Sequence, residues 1–191
     1  MSEKKHRPDG ATSTAKGRAR RRYFALSAVM AALLSVLCPF VIPMGAIPVT
    51  LATLLVFLLA ATLPRSVSLS AVSLYLALGG LGLPVFASFV GGIGVLIGPT
   101  GGFLWGYLPA AFLVSLADRK SRWQTPLAML LANLLLYLTG TLQFSLVGGV
   151  SFTEALLTAA VPFLVPDLLK LLAASTLSMT LRGRLKKLLQ E

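Results

Sequence analysis

The sequence predicts an all-α membrane protein with six transmembrane helices and both termini in the cytoplasm. Three observations support this fold class. Only 12% of the residues are charged, whereas globular domains usually carry about a quarter. Hydrophobic residues make up 56% of the chain, and the mean hydropathy is +0.84. The basic residues, which give a net charge of +11, fall in short blocks between apolar runs rather than on a polar face.

Six apolar runs are candidate membrane spans, because a helix needs about 20 apolar residues to cross the roughly 30 Å hydrocarbon core. We place their approximate limits at residues 23–41, 47–63, 66–83, 101–117, 126–146 and 152–181. The domain organisation follows directly. We expect a disordered basic cytoplasmic tail at residues 1–22, a six-helix transmembrane domain at 23–181 and a second basic cytoplasmic tail at 182–191.

The positions of the basic residues test the number of spans independently. Eight of the 17 Lys and Arg residues precede residue 23. Others lie before span three, between spans four and five, and after span six: Arg65, Arg119, Lys120, Arg122, Arg182, Arg184, Lys186 and Lys187. The connections after spans one, three and five contain none. By the positive-inside rule, this alternation places both termini on the cytoplasmic side of a six-span protein.

The composition excludes several classes of function. With one cysteine, Cys38, no disulfide framework is possible, and with one histidine, His6, most histidine-dependent catalysis and metal sites are removed. The chain has no GxxxxGK[ST] nucleotide loop and no HExxH motif. We therefore predict no catalytic residues, no metal and no cofactor. We expect the basic tail to flank the membrane lipid rather than to bind nucleic acid.

The last apolar run contains the only two charges placed deep in the membrane. Asp167 and Lys170 lie in PFLVPDLLKLL, and each costs roughly 2.5–3.5 kcal/mol near mid-membrane. Their i, i+3 spacing puts them on one helix face. We predict that the pair faces a cavity and binds a polar group of a ligand; a buried ion pair that fixes helix packing is the alternative. Pro162 and Pro166 support a cavity, because proline frees backbone carbonyls.

A glycine-rich segment at residues 79–103 is the second candidate region. It holds nine of the 17 glycines and no charge. Non-helical backbone at membrane depth is tolerated only inside protein or along a cavity, and glycine lets backbone N–H groups converge on a ligand. The segment faces outside, where an importer must capture its ligand, and we expect the outer connection at residues 39–50 to line the same mouth. A purely structural re-entrant hairpin is the alternative.

Two further sets of residues are weaker candidates. The Ala28-x-x-x-Ala32 pattern in span one permits close helix contact, although such faces usually pack internally. Polar or aromatic residues within the spans that could contact a ligand are Tyr75, Trp105, Tyr107, Asn133, Tyr137 and Gln143. Aromatic residues near span ends are more often interface anchors.

The segments IPVTLATLLVFLLA, LGLPVF, GGIGVLIGPTGGFLWGY and VPDLLK, in this order, resemble the BioY family of biotin-binding S components of energy-coupling factor (ECF) vitamin transporters. The resemblance covers about residues 23–181. It implies an S-component-like bundle with a ligand cavity near the outer side, and capture of biotin. It also implies as partners a transmembrane coupling protein, which would dock on Ala28 and Ala32, and two ATPase subunits.

The resemblance also assigns site residues. It places the family's acidic and basic ligand residues on Asp167 and Lys170 and its glycine-rich ligand loop on Gly91 and Gly92; we add Phe86 and Gln143 as substrate-binding candidates. The hypothesis is that Asp167 accepts a ureido N–H, Lys170 donates to the ureido oxygen, and backbone N–H groups near Gly91 and Gly92 hold the valerate carboxylate. The rival orientation puts Lys170 on the carboxylate. The chain departs from the family pattern at three positions, Ala52, Val90 and Leu104.

Two other function classes stay open on the sequence. One is a membrane-embedded enzyme that uses Asp167 as an acid or base. The other is a structural membrane subunit in which Asp167 and Lys170 form a packing ion pair. A transporter accounts for both the polar pair and the charge-free outer loop.

Overall fold

The computed structural model describes residues 10–43, 47–117 and 123–190, and over these ranges the chain is mostly helical. The elements in chain order are α1 (Gly10–Leu37), β1 (Val41–Ile42), β2 (Val49–Thr50), α2 (Ala52–Thr62), α3 (Arg65–Gly80), α4 (Ile93–Ile97), α5 (Gly101–Leu116), α6 (Gln124–Gly148), α7 (Phe152–Ala159) and α8 (Leu164–Gln190). The basic residues 119, 120 and 122 of the fourth connection lie outside the described residues.

The predicted helical fold is confirmed, and each predicted span coincides with a helix or a helix pair. Within the described ranges, two stretches are long and apolar enough to cross a membrane by length and composition, Gln124–Gly148 and Phe152–Arg182. Ala52–Thr62 and Gly101–Leu116 are shorter apolar helices. The count of six spans and the side on which the termini lie stay predictions.

Helix α1 begins well before the first predicted span. It includes residues 10–22, for which the sequence predicts a disordered tail. The segment is rich in Ala, Lys and Arg, which have high intrinsic helix propensity, and a helix once nucleated extends at little cost. The second tail behaves likewise, because α8 extends to Gln190.

A short antiparallel hairpin separates α1 from α2. Val41 pairs with Thr50 and Ile42 with Val49. The strands explain why α1 ends at Leu37 and α2 begins at Ala52, several residues inside the predicted limits. The connection is rich in proline, which disfavours helix, and the four paired residues are all β-branched.

The long sixth run is broken in two. Helix α7 begins with a capping box in which the Ser151 hydroxyl accepts from the Glu154 N–H at 3.3 Å and the Glu154 carboxylate accepts from the Ser151 N–H at 2.9 Å. A 3-10 turn, Val161–Phe163, then connects α7 to α8. Pro162 lies in this turn and Pro166 in the first turn of α8, where a missing N–H breaks no helical hydrogen bond.

The core lies between tightly packed helices, and the surface is unusually apolar. Helix α1 packs on α3, α2 on α8, and α5 on α6. On α8 the outward side chains Val165, Leu168, Leu169 and Leu172 are 54–71% exposed. Apolar surface on this scale marks contact with lipid or with another protein. It agrees with the membrane character predicted from the composition.

Candidate functional site

A cavity lies between the helices and the two glycine- and proline-rich connections. Its volume is about 300 Å³, at the lower end of the range for small-molecule sites. The apolar lining residues are Ile47, Pro48, Val49, Phe86, Ala87, Val90, Val95, Phe103, Leu104, Leu136, Ala159 and Phe163. The polar lining residues are Thr50, Thr53, Ser88, Thr100, Tyr107, Asn133, Tyr137, Asp167 and Lys170. An apolar chamber with a few polar groups is typical of a site for a small organic ligand.

Asp167 and Lys170 form a buried ion pair in the cavity wall, as their spacing predicts. The Lys170 Nζ lies 2.8 Å from Asp167 Oδ1, and the two side chains are 11% and 8% exposed. Since one charge offsets the other, the pair presents no net charge to a ligand. It still offers an ammonium donor and carboxylate acceptors side by side.

Tyr137 on α6 is the second side chain that donates a hydrogen bond to Asp167. Its hydroxyl donates to Asp167 Oδ2 at 2.8 Å, so each carboxylate oxygen has one protein donor and retains acceptor capacity. Asn133 lies one turn earlier on α6 and lines the same cavity. The sequence showed both residues as weak candidates; their i, i+4 spacing on one helix face was the available signal.

The break between α7 and α8 explains why an acid is tolerated at this depth. Asp167 lies in the first turn of α8, where the helix dipole and unpaired N–H groups favour a negative charge. The carboxylate therefore has stabilisation from three sources, namely Lys170, Tyr137 and the helix terminus. Broken helices that direct a half-helix end towards a cavity are a recurring way to build a polar site in a membrane.

The glycine-rich segment lines the cavity, but not through the glycines that were predicted to do so. Gly91 and Gly92 lie outside the lining, and the Gly92 N–H donates to the Gly79 carbonyl at 2.6 Å. A Cβ at Gly91 would overlap the Leu83 carbonyl. These two glycines therefore fold the loop on itself, and Gly92 has no free N–H to offer a ligand.

Phe86 is the member of this segment whose predicted position agrees with the structure. It is 1% exposed, lines the cavity and meets the Tyr75 ring edge to face at 5.5 Å between centroids. Its ring also lies against Gly79, where any side chain would collide with it. The aromatic wall of the cavity is thus fixed from behind by α3.

Gln143, which the sequence predicts as a ligand contact, is not among the lining residues. Its Nε2 donates to the Leu96 carbonyl at 2.9 Å and to the Gly98 carbonyl at 2.7 Å. The Trp105 indole donates to the same Leu96 carbonyl at 3.1 Å. Both amide hydrogens are used in tying the segment after α4 to α6, so Gln143 supports the loop.

The outer connection before α2 lines the cavity, as expected, through residues 47–50. Tyr107 on α5 brings a further hydroxyl to the lining, beside those of Thr50 and Thr53. Of the three departures from the family pattern, Val90 and Leu104 lie in the cavity wall and Ala52 is buried outside it.

The small-residue face of α1 is turned outwards. Ala28 and Ala32 are exposed, whereas Ala31, Leu34 and Cys38 on another face of the helix are buried. The face is therefore not used for packing within the chain. It presents a shallow surface on which another helix could lie closely.

Comparison with known families identifies the chain. The model of the BioY family matches residues 10–187. The chain belongs to the BioY family. The resemblance expected from the motifs is confirmed, and the family is one of transporters rather than enzymes.

The alignments of this BioY-family chain with its relatives cover most of both proteins. It is 36% identical to the "Biotin transporter BioY2" of Lactococcus lactis subsp. cremoris (strain MG1363), over 82% of this chain and 87% of that protein. It is 40% identical to the "Biotin transporter BioY" of Thermotoga maritima, over 77% of this chain and 85% of that protein. A solved structure described as the S-component for biotin from an ECF-type ABC transporter superposes with a TM-score of 0.79 at 22% identity, covering 87% and 93% of the two chains. That likeness shows the S-component fold.

Proposed function

We propose that the protein captures biotin with high affinity and takes it up across the cytoplasmic membrane, as the substrate-specific component of an ECF-type transporter. The observation that carries the proposal is the neutral, hydrogen-bonding ion pair of Asp167 and Lys170 in the wall of an otherwise apolar cavity. Membership of the BioY family and relatives that carry the name biotin transporter support it.

The chemistry of the cavity matches the ring end of biotin. A cyclic urea has N–H donors beside a carbonyl acceptor, and it is uncharged. Asp167 accepts a ring N–H and Lys170 donates to the ring oxygen, so a group with both functions satisfies both partners. Phe86 and the other apolar side chains cover the sulfur ring and the alkyl chain.

The same pair disfavours the carboxyl end of the ligand. Lys170 is already neutralised by a carboxylate at 2.8 Å, so a second carboxylate would meet Asp167 as well as Lys170. We therefore place the valerate tail towards the outer connections, where Ser88 and Thr100 bring hydroxyl groups to the lining. The Gly92 N–H is already bonded to the Gly79 carbonyl, so we do not assign the carboxylate to it.

The membrane topology that fits this function has six spans. We take them as α1, α2 with β2, α3, α5, α6 and α7 with α8, with both termini in the cytoplasm. The alternation of basic and uncharged connections supports this arrangement, as do the exposed leucines of α6 and α8. It opens the cavity towards the outer connections, from which biotin enters.

The partners follow from the same assignment. We propose that the exposed Ala28 and Ala32 face of α1 docks on a transmembrane coupling protein, which links the chain to two ATPase subunits. Support comes from the outward orientation of this face and from the description of the solved S-component as part of an ECF-type ABC transporter.

Equilibrium binding of labelled biotin to the purified protein in detergent tests the function. We expect saturable binding of one biotin per chain at submicromolar ligand, displaced by unlabelled biotin. Absence of binding at micromolar ligand would rule the proposal out. Turnover of a membrane substrate would then have to be sought for Asp167.

Biotin methyl ester tests the orientation. If Lys170 holds the ring oxygen, esterification weakens binding by the same factor in the wild type and in Lys170→Ala. The measurement is the ratio of the two dissociation constants in each protein. A large ratio in the wild type that falls to about one in Lys170→Ala would instead place the carboxylate on Lys170.

A further inference from the structure

One buried polar atom in the cavity wall has no partner in the part of the chain that the structure describes. Asn133 is 5% exposed and lines the cavity, and its Oδ1 accepts no hydrogen bond. Buried polar atoms are nearly always paired, so an orphaned acceptor beside a ligand cavity indicates that the ligand supplies the donor. Thr141 Oγ1 is the other such atom among the described residues, and Thr141 is not a lining residue.

The orientation of the Asn133 amide follows from its neighbours. The Asp167 carboxylate only accepts hydrogen bonds, so the Tyr137 hydroxyl donates its single hydrogen to Asp167. The Tyr137 oxygen then remains as an acceptor, and within the Asn133 amide only the nitrogen can donate to it. An amide nitrogen directed towards Tyr137 leaves Oδ1 as the group without a partner.

We propose that Asn133 is a specificity-determining residue that accepts one ring N–H of the bound cyclic urea, while Asp167 accepts the other. The inference rests on the proposed function, because it assigns an additional contact in the same site. The ion pair alone accounts for one N–H and the carbonyl. A second acceptor on α6 makes the site selective for a ring with donors on both sides of the carbonyl.

Two isosteric analogues of biotin test the assignment, each a cyclic carbamate with oxygen in place of one ring N–H. We expect the wild type to bind both at least tenfold more weakly than biotin, because a buried acceptor then faces an oxygen. In Asn133→Ala, biotin itself should bind about tenfold more weakly. Asn133→Ala should no longer discriminate against the analogue whose oxygen replaces the N–H that faces Asn133. It should still discriminate against the analogue whose oxygen replaces the N–H that faces Asp167.

Thr141→Val is the matched control, since it removes the other orphaned atom about 12 Å further along the same helix. It should bind biotin and both analogues as the wild type does. If Asn133→Ala does not fold, Asn133→Leu gives a closer replacement in volume. A purely structural Asn133 would weaken biotin and both analogues by one common factor.

The outcomes separate the two proposals. If the wild type binds biotin but does not discriminate against either analogue, the Asn133 assignment is wrong and the proposed function stands. The assignment is also wrong if Asn133→Ala keeps both discriminations. If the wild type does not bind biotin at all, the proposed function fails, and the Asn133 assignment fails with it.

Discussion

Replacing Asp167 by Leu should weaken biotin binding tenfold to more than a hundredfold and strongly destabilise the protein. The change removes the acceptor for a ligand N–H, and a hydrogen bond to a charged group contributes about 1.5–3 kcal/mol, or tenfold to more than a hundredfold in affinity. It also leaves the Lys170 ammonium, 11% exposed, without its carboxylate partner. Breaking a buried pair by removing one member costs about 3–5 kcal/mol of unfolding free energy.

The double variant Asp167→Leu/Lys170→Leu separates a binding site from a packing ion pair. Replacing both members of a buried pair by apolar residues is often neutral or stabilising. We therefore expect the double variant to recover most of the thermal stability that Asp167→Leu loses, without recovering biotin binding. Thermal unfolding in detergent and equilibrium biotin binding, measured on the same samples, give the two readouts.

Glu154→Gln is the control for loss of an acid from the same region. Glu154 is exposed at the start of α7, and glutamine can keep the reciprocal bond to Ser151 that completes the capping box. Its biotin affinity should stay within twofold of the wild type. Biotin binding by the double variant with wild-type affinity would show that Asp167 and Lys170 serve packing alone.

The charged part of the site was predictable, because a charged residue inside an apolar run can be recognised from the sequence alone. Asp167 and Lys170 are the only deep ionisable pair, and their spacing already defines a shared helix face. Tyr137 could not be assigned to Asp167 in this way. The two residues are 30 positions apart on different helices, and their contact depends on how α6 packs beside α8.

The role of the glycine-rich segment could not be predicted from the sequence in the same way. The sequence reveals where glycine occurs but not whether its N–H is already used, and at Gly92 that group is bonded to Gly79. Gln143 presents the same difficulty, since a polar side chain in a span can satisfy a loop as readily as a ligand. Helix limits shifted wherever proline and β-branched residues converted the end of an apolar run into strand or turn.

The close contact of α5 and α6 leads to the second large expected effect. Gly102 and Gly106 form a Gly-x-x-x-Gly motif along the face of α5 that meets α6, and they allow the two backbones to approach. A Cβ at Gly102 would overlap the Thr139 carbonyl of α6. A backbone carbonyl inside a helix cannot rotate away, so the helices must separate.

Gly102→Ala should therefore lower the unfolding free energy by about 1–3 kcal/mol, as is typical of overpacking. Alanine is intrinsically better than glycine in a helix by about 1 kcal/mol. A net loss of stability would therefore mean that the steric overlap costs more than this gain in helix propensity. Biotin affinity should fall as well, because α5 carries Tyr107 and α6 carries Asn133 and Tyr137 across the cavity. Separating the helices moves these groups apart.

Gly94→Ala provides the comparison, since a Cβ at Gly94 in α4 meets open space. It should leave biotin affinity unchanged and unfold at or slightly above the wild-type temperature. The difference between the two glycine variants isolates the helix contact from the general effect of adding a methyl group. If Gly102→Ala matches Gly94→Ala in both stability and affinity, the α5–α6 contact does not determine the shape of the site.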